Sequence, residues 1–341
     1  MTGDTAAVIN TPGAISTVDY HTGGEPFRIV LGGVRAPRGT TILDKRDDAI
    51  RRLDDTRVLL THEPRGHAGM YGCFVTEPDD DGADFGTVFF HREGFSTACG
   101  HGSIAAATWA YETGYVTPRA GNTITLDVPS GRIACRIRDS GDYPSVSCTN
   151  VASYTWALDV PLPTGRGTVR ADIAYGGAFY AIVDVGNLGM RVAPNQLPAL
   201  TALAAELKAE VTARHELADP DDPRIAGLYG VICYERLASR RGRIEERNVA
   251  VFANGQVDRS PCGSGTSARL AALSSRDELD AAGEFVNHGI VNTTFLGRIA
   301  GNTTVHGHPA VVPEIEGTAF RTGYNTLLVH PRDELGTGFL L

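Results

Sequence analysis

The chain has 341 residues, 42% of them apolar and 21% charged, and carries a net charge of −9. That is long enough for two domains of ordinary size. The acidic balance and the lack of any basic cluster argue against nucleic acid or an anionic membrane surface as a partner. No apolar run approaches the roughly 20 residues that span a bilayer, and Met1 to Pro12 lacks the basic-then-apolar layout of a signal peptide. A cytosolic enzyme is therefore expected.

After a loose leader, Ile15 to Asp19 and Phe27 to Val34 read as strands around the turn His21-Thr-Gly-Gly-Glu-Pro26. Leu43 to Leu53 has charges at helical spacing. A glycine-rich loop from Glu63 leads into a strand beginning at Cys73, and Gly86 to His91 is a further strand. Ile104 to Tyr111 predicts a helix of small residues. Thr123 to Val128, Gly131 to Ile137 and Ser145 to Ser153 are bounded by turn residues and read as a meander. Pro161 to Gly167 reads as a linker, dividing the chain into lobes over 13–160 and 168–324, with the tail 325–341 packing back on the first. In the second lobe, Leu200, Leu203, Leu207 and Val211 mark an amphipathic helix over Leu197 to Leu217. Strands follow at Gly230 to Glu235 and Asn248 to Phe252, then a second small-residue helix over Thr266 to Ala272. From Phe285 to Val329 the text is strand and turn. The periodicity yields a β-rich α/β duplication but no strand order.

The two small-residue helices are each launched from a similar turn. Ser96-Thr-Ala-Cys-Gly-His-Gly-Ser-Ile-Ala105 and Arg259-Ser-Pro-Cys-Gly-Ser-Gly-Thr-Ser-Ala268 share the order small residue, Cys, Gly, x, Gly, hydroxyl residue. Cys99 and Cys262 thus occupy equivalent places in the two halves. Unpaired N–H groups and the helix dipole favour negative charge at such a position, so a lowered thiol pKa is expected there. The remaining cysteines, Cys73, Cys135, Cys148 and Cys233, lie in strand-like text and read as small buried hydrophobes. Six scattered cysteines do not suggest a disulfide framework in a chain of this length.

Four uses of the cysteine pair compete. The thiols could be passengers at two buried helix starts. They could bind metal with His101, although Cys-x-His is not a usual zinc spacing. A redox dithiol is a third use, without the Cys-x-x-Cys spacing that favours it. The fourth is proton transfer at a carbon acid, with a thiolate on one face and a thiol on the other. That chemistry needs no cofactor. The pyridoxal alternative needs a lysine Schiff base, and the two lysines, Lys45 and Lys208, both lie in charged helix-like text.

At Cys99-Gly-His-Gly102 and Asp258-Arg-Ser-Pro-Cys-Gly-Ser-Gly-Thr266 the chain resembles the proline racemase family, which includes hydroxyproline 2-epimerases and trans-3-hydroxy-L-proline dehydratases. The likeness extends over nearly the whole chain. It implies two similar α/β lobes, each a barrel-like sheet around a central helix, as in diaminopimelate epimerase. It further implies that Cys99 and Cys262 are the acid/base pair. By the same likeness the backbone at Gly100, His101, Gly263 and Ser264 holds a carboxylate, Asp258 meets the ring nitrogen, and Tyr71 and Phe252 flank the ring. Each of these has a plainer alternative: Asp258 as a turn residue, His101 as helix-start packing, Tyr71 and Phe252 as core aromatics. No metal or other cofactor is implied, the substrate is proline or a hydroxyproline, and a homodimer is left open.

Segments such as His21-Thr-Gly-Gly-Glu-Pro26, Glu63-Pro-Arg-Gly-His67, Asp172-Ile-Ala-Tyr-Gly-Gly-Ala-Phe-Tyr180 and Gly338-Phe-Leu-Leu341 are similar to the dehydratase branch. That branch typically has threonine where this chain has Cys262. The reacting groups are weighed above the surrounding text, so the expectation is a racemase or 2-epimerase with dehydration as the alternative. A non-catalytic imino-acid-binding protein on the same scaffold is the third reading.

Overall fold

The computed structural model describes residues 13–139, 143–240 and 242–340; the leader Met1 to Pro12 lies outside them. The fold is mixed α/β, rich in sheet and with few helices. Its strands are β1 (Ile15–Thr22), β2 (Glu25–Gly32), β3 (Tyr71–Thr76), β4 (Phe85–His91), β5 (Thr123–Val128), β6 (Gly131–Arg138), β7 (Ser145–Thr149), β8 (Ser153–Thr164) and β9 (Gly167–Tyr175). They continue with β10 (Phe179–Asp184), β11 (Leu228–Arg240), β12 (Arg243–Phe252), β13 (Gln256–Asp258), β14 (Glu284–His288), β15 (Thr294–Val305), β16 (His308–Gly317) and β17 (Ala319–Leu327). The helices are α1 (Ile42–Arg52), α2 (Asp54–Thr61), α3 (Gly100–Glu112), α4 (Leu197–Arg214) and α5 (Gly263–Ser275).

Hydrogen bonding closes these strands into two rings. In the first, β1 to β7 pair in sequence order, and β7 then pairs with the end of β16, which runs through Thr318 into β17 and back to β1. In the second, β9, β10, β11, β12, β14, β15 and β16 pair in turn, and β8 joins β16 to β9. Both rings follow the same course: an antiparallel hairpin, a parallel step, an antiparallel pair, a parallel step across a helix, then two antiparallel pairings. The internal repeat seen in the cysteine turns therefore extends to the whole topology.

The eighth strand of each ring comes from the end of the other half. β8 follows β7 in the chain but completes the second ring, and β17 follows β16 but completes the first. Pro161 to Gly167 is accordingly not a linker. It is the tip of the β8–β9 hairpin, with Pro161 opposite Arg170 and Thr164 opposite Gly167. Beyond β17 the tail lies against the segment after α2, where the Phe339 N–H donates to the Glu63 carbonyl at 2.9 Å.

Each ring encloses one helix, α3 in the first and α5 in the second. The side chains of α3 are buried from His101 to Ala110, and those of α5 from Ser264 to Leu273. A ring of this size is ordinarily filled by its own side chains. A helix fits inside only when it is slim, which explains Ala105, Ala106 and Ala107 in α3 and Ala268, Ala271 and Ala272 in α5. The helices α1, α2 and α4 pack outside, and α4 buries Leu200, Leu203, Ala204, Leu207 and Val211, the face expected from periodicity. Among the described residues no helix is long and apolar enough to cross a membrane.

All six cysteines are buried, but two are not separate hydrophobes. Cys135 and Cys148 stand directly opposite one another on β6 and β7 and form a disulfide. Strand register created this pairing, and the spacing in the sequence gave no hint of it.

The second ring also buries charge. Arg269 of α5 reaches Glu246 of β12 through two hydrogen bonds at 2.8 and 3.0 Å, with exposures of 3% and 1%. Its guanidinium also lies 4.1 Å from the centre of the Tyr234 ring. Removing one partner of a buried pair leaves an uncompensated charge. Glu246→Leu should therefore cost about 3–5 kcal/mol in denaturant unfolding, and adding Arg269→Met should restore most of it. A single-variant loss below about 1 kcal/mol would mean that Asp172, 4.0 Å from the Arg269 guanidinium, compensates the charge instead.

Candidate active site

The two ring helices begin against each other. A methyl group at Gly100 would lie 2.4 Å from the Gly263 Cα, and one at Gly263 would lie 2.7 Å from the Gly100 Cα. Only glycine permits this approach, well inside the contact distance of two carbons. Cys99 and Cys262 are the residues that cap the two helices. A second pair of glycines then makes room for the sulfurs. A Cβ at Gly102 would sit 2.6 Å from the Cys99 Sγ, and one at Gly265 would sit 2.9 Å from the Cys262 Sγ. This explains the Cys-Gly-x-Gly spacing in both turns.

Cys99, Gly100, His101, Tyr71, Phe252, Asp258, Cys262, Gly263 and Ser264 all line one narrow cleft. The structure thus brings together every residue singled out from the sequence. The first-turn N–H groups of both helices lack a carbonyl one turn back, so those at Gly100, His101, Gly263 and Ser264 offer a cradle for an anion. Tyr180 and Tyr229 also line the cleft. The Tyr180 hydroxyl lies 2.7 Å from the Ser264 Oγ and 3.8 Å from the Cys262 Sγ. Tyr229 stacks on Phe252 with ring centroids 5.5 Å apart, and its hydroxyl lies 3.1 Å from that of Tyr71, which also bonds Ser96. Tyr180 sits in a quoted segment, whereas nothing near Tyr229 in the sequence marks it.

The second cysteine turn is held more firmly than the first. The Ser260 N–H and hydroxyl donate to Asp258 Oδ1 at 2.8 and 2.7 Å, and the Cys262 N–H donates to the Ser260 Oγ at 3.1 Å. The Pro261 carbonyl accepts from Asn248, Thr266 and Asn287 at 2.9, 3.1 and 3.2 Å. This network holds Cys262 at φ 62°, ψ 96°, whereas Cys99 is extended at φ −154°, ψ 95°. A left-handed φ in a residue with a side chain costs of order 1–3 kcal/mol, and the surrounding bonds must hold it.

Electrostatics overturn the expected thiol pKa. Burial pushes both Cys99 and Cys262 well above the ordinary thiol value, and the nearby Asp258 charge adds to this. The Gly102 N–H on Cys99 and the Gly265 N–H on Cys262 act in the opposite direction but are outweighed. Both sulfurs are held as neutral thiols, because lost hydration exceeds what one helix end returns. His101 is pushed down to about 3 by burial and is neutral. Its ring nitrogens lie 3.6 and 3.7 Å from the Cys99 Sγ. Glu25, from the first turn of the chain, is pushed well above the carboxylate range by burial and by Asp258, while Arg259 opposes the shift. It accepts from the Arg259 N–H at 2.8 Å and so ties the two rings together beside the cleft.

Cys99, His101 and Cys262 do not converge as metal ligands. Among the described residues the one group of three ligand-type side chains within 4.8 Å is Asp219, Asp221 and His306, elsewhere in the structure.

Burial raises Asp258 from 3.8 to about 6. The fold therefore favours its neutral form. That contribution is complete below the unfolded value and is lost as pH rises through about 6. Asp258→Asn should accordingly be more stable than the parent at pH 8, by about 1–3 kcal/mol, with the difference shrinking toward pH 4. Paired denaturation curves would show it, and a variant less stable at pH 8 would contradict the assignment.

A family model described as proline racemase matches residues 17–340. A trans-3-hydroxy-L-proline dehydratase of Bacillus cereus is 42% identical over 96% of this chain and 98% of its own. A 3-hydroxyproline 2-epimerase of Burkholderia multivorans is 43% identical, again over 96% and 98%. Among solved structures, a hydroxyproline epimerase from Agrobacterium vitis with bound trans-4-hydroxy-L-proline superposes with a TM-score of 0.88 at 31% identity, covering 96% and 95% of the two chains. A family match over nearly the full length, with relatives above 40% identity, is decisive: this chain belongs to the proline racemase family.

Proposed function

We propose that the protein is a cofactor-independent racemase or 2-epimerase of proline or a hydroxyproline, working by two-cysteine proton transfer at Cα. The observation that carries this reading is that Cys99 and Cys262 line one cleft from two abutting helix starts. Inversion requires a base on one face of Cα and an acid on the other, and each half contributes one thiol.

In this reading the N–H groups at Gly100, His101, Gly263 and Ser264 hold the substrate carboxylate and absorb charge as the Cα–H bond breaks. Asp258 receives the ring nitrogen, and Tyr71, Phe252 and Tyr229 enclose the ring. One thiol must first release its proton to solvent as the substrate enters, which the arriving ring ammonium and the helix dipoles favour. The resulting thiolate takes the Cα proton, and the opposite thiol returns one to the other face. The pair ends with its roles exchanged, ready for the reverse reaction. The epimerase names of two relatives support this choice.

Dehydration of trans-3-hydroxy-L-proline is the second reading, favoured by five relatives of that name at 42–43% identity. It requires one base at Cα and loss of the 3-hydroxyl, and leaves the second cysteine without a necessary part. The two readings separate in one experiment on L-proline, trans-3-hydroxy-L-proline and trans-4-hydroxy-L-proline with chiral product analysis. We expect inversion at C2, reduced about 10²-fold or more in Cys99→Ser and in Cys262→Ser. Ring unsaturation without inversion would overturn the proposal in favour of dehydration. Full inversion by Cys262→Ser would remove the two-base mechanism.

A further inference from the structure

A second, larger cavity of about 270 Å³ lies beside the catalytic cleft, and no role described above uses it. Tyr229 lines both spaces and forms part of the wall between them. Ser96, bonded to Tyr71 of the cleft, lines the cavity too.

Each half sends one cation into this space: Arg46 from α1 and Lys208 from α4. Arg46 donates through Nε and Nη2 to the Phe95 carbonyl at 3.1 and 2.8 Å. Lys208 donates to the carbonyls of Tyr229 and Ala253 at 3.2 and 3.3 Å. Among the described residues neither forms an ion pair with a carboxylate, although most arginines of the chain do. The lining includes one carboxylate, Glu93, which is already engaged by Arg92 at 3.2 Å and Asn254 at 2.9 Å. His91, also in the lining, is neutral, pushed down to about 3 by burial and by Arg57, Lys208 and Arg46. Two half-buried cations that meet only carbonyls leave a desolvation cost that a bound anion would offset.

We propose that Arg46 and Lys208 form a capture site for a small carboxylate, holding the substrate before it passes Tyr229 into the Cys99–Cys262 cleft. Most groups lining the cleft are buried, and with Glu93 already engaged the two cations remain free to give charge-assisted hydrogen bonds to the carboxylate end of a zwitterionic imino acid. The inference rests on the proposed function only in taking the substrate to be an imino acid. The expected class is a monocarboxylate small enough to pass one tyrosine ring.

Alkylation tests this without requiring turnover. Iodoacetate and iodoacetamide react with the same sulfurs and differ in charge, so their rate ratio at Cys99 and Cys262, read by mass spectrometry, reports anion capture. In the parent protein the ratio should fall as salt is raised. In Arg46→Gln/Lys208→Gln it should drop about tenfold at low salt and lose its salt dependence, with the iodoacetamide rate unchanged. A parent ratio insensitive to salt, which needs no variant, would overturn the proposal. An unchanged ratio in the folded double variant would do the same, placing the anion preference in the helix starts alone. If the protein proved to be a dehydratase, the ratio would still respond as described, so the two failures are distinguishable.

Discussion

Two helix N-termini meet at Gly100 and Gly263 closely enough that neither position admits a Cβ. Much of the architecture serves that contact. A helix can start at the mouth of a ring only if it also fits inside the ring, so α3 and α5 are built from small residues. The rings in turn must be held mouth to mouth, and the exchanged strands β8 and β17 bind each half to the other by main-chain hydrogen bonds. Glu25 and Arg259 add a link at the cleft itself. The outcome is one enclosed space with a thiol contributed by each side.

Enclosure has an electrostatic consequence. The same burial that strengthens every N–H group aimed into the cleft raises both thiols and Asp258. In the proposed reaction a ligand supplies the missing charge, with its carboxylate at the helix starts and its ammonium near Asp258. The strained backbone of Cys262, held by Ser260 and the clamped Pro261 carbonyl, indicates that sulfur position is maintained at some cost in stability.

The sequence revealed the site better than the scaffold around it. The repeated Cys-Gly-x-Gly turn was legible because its glycines have local causes: one admits the facing helix and one admits the sulfur. The face of α4 was legible because a surface helix carries its burial pattern in 3.6-residue spacing. Three features depended on pairing or position that the sequence pattern does not carry. The β8–β9 hairpin looked like a linker because Pro161 and Gly167 punctuate both kinds of segment. Cys135 and Cys148 looked like unrelated hydrophobes until strand register set them opposite each other. Tyr229 enters the cleft from β11, far in sequence from either cysteine turn. The raised thiol pKa is invisible in the sequence for a different reason: a helix start can be recognised there, but the depth at which it is buried cannot.

The two-cysteine mechanism makes a distinctive demand on hydrogen isotopes, because the proton removed and the proton delivered belong to different sulfurs. Early in a reaction started from one pure stereoisomer in deuterated water, the inverted product and the remaining substrate would be isolated and their Cα deuterium measured. The account requires deuterium in the product from the first turnovers and almost none in the recovered substrate. Equal labelling of the two, as a single base serving both faces would give, would contradict it.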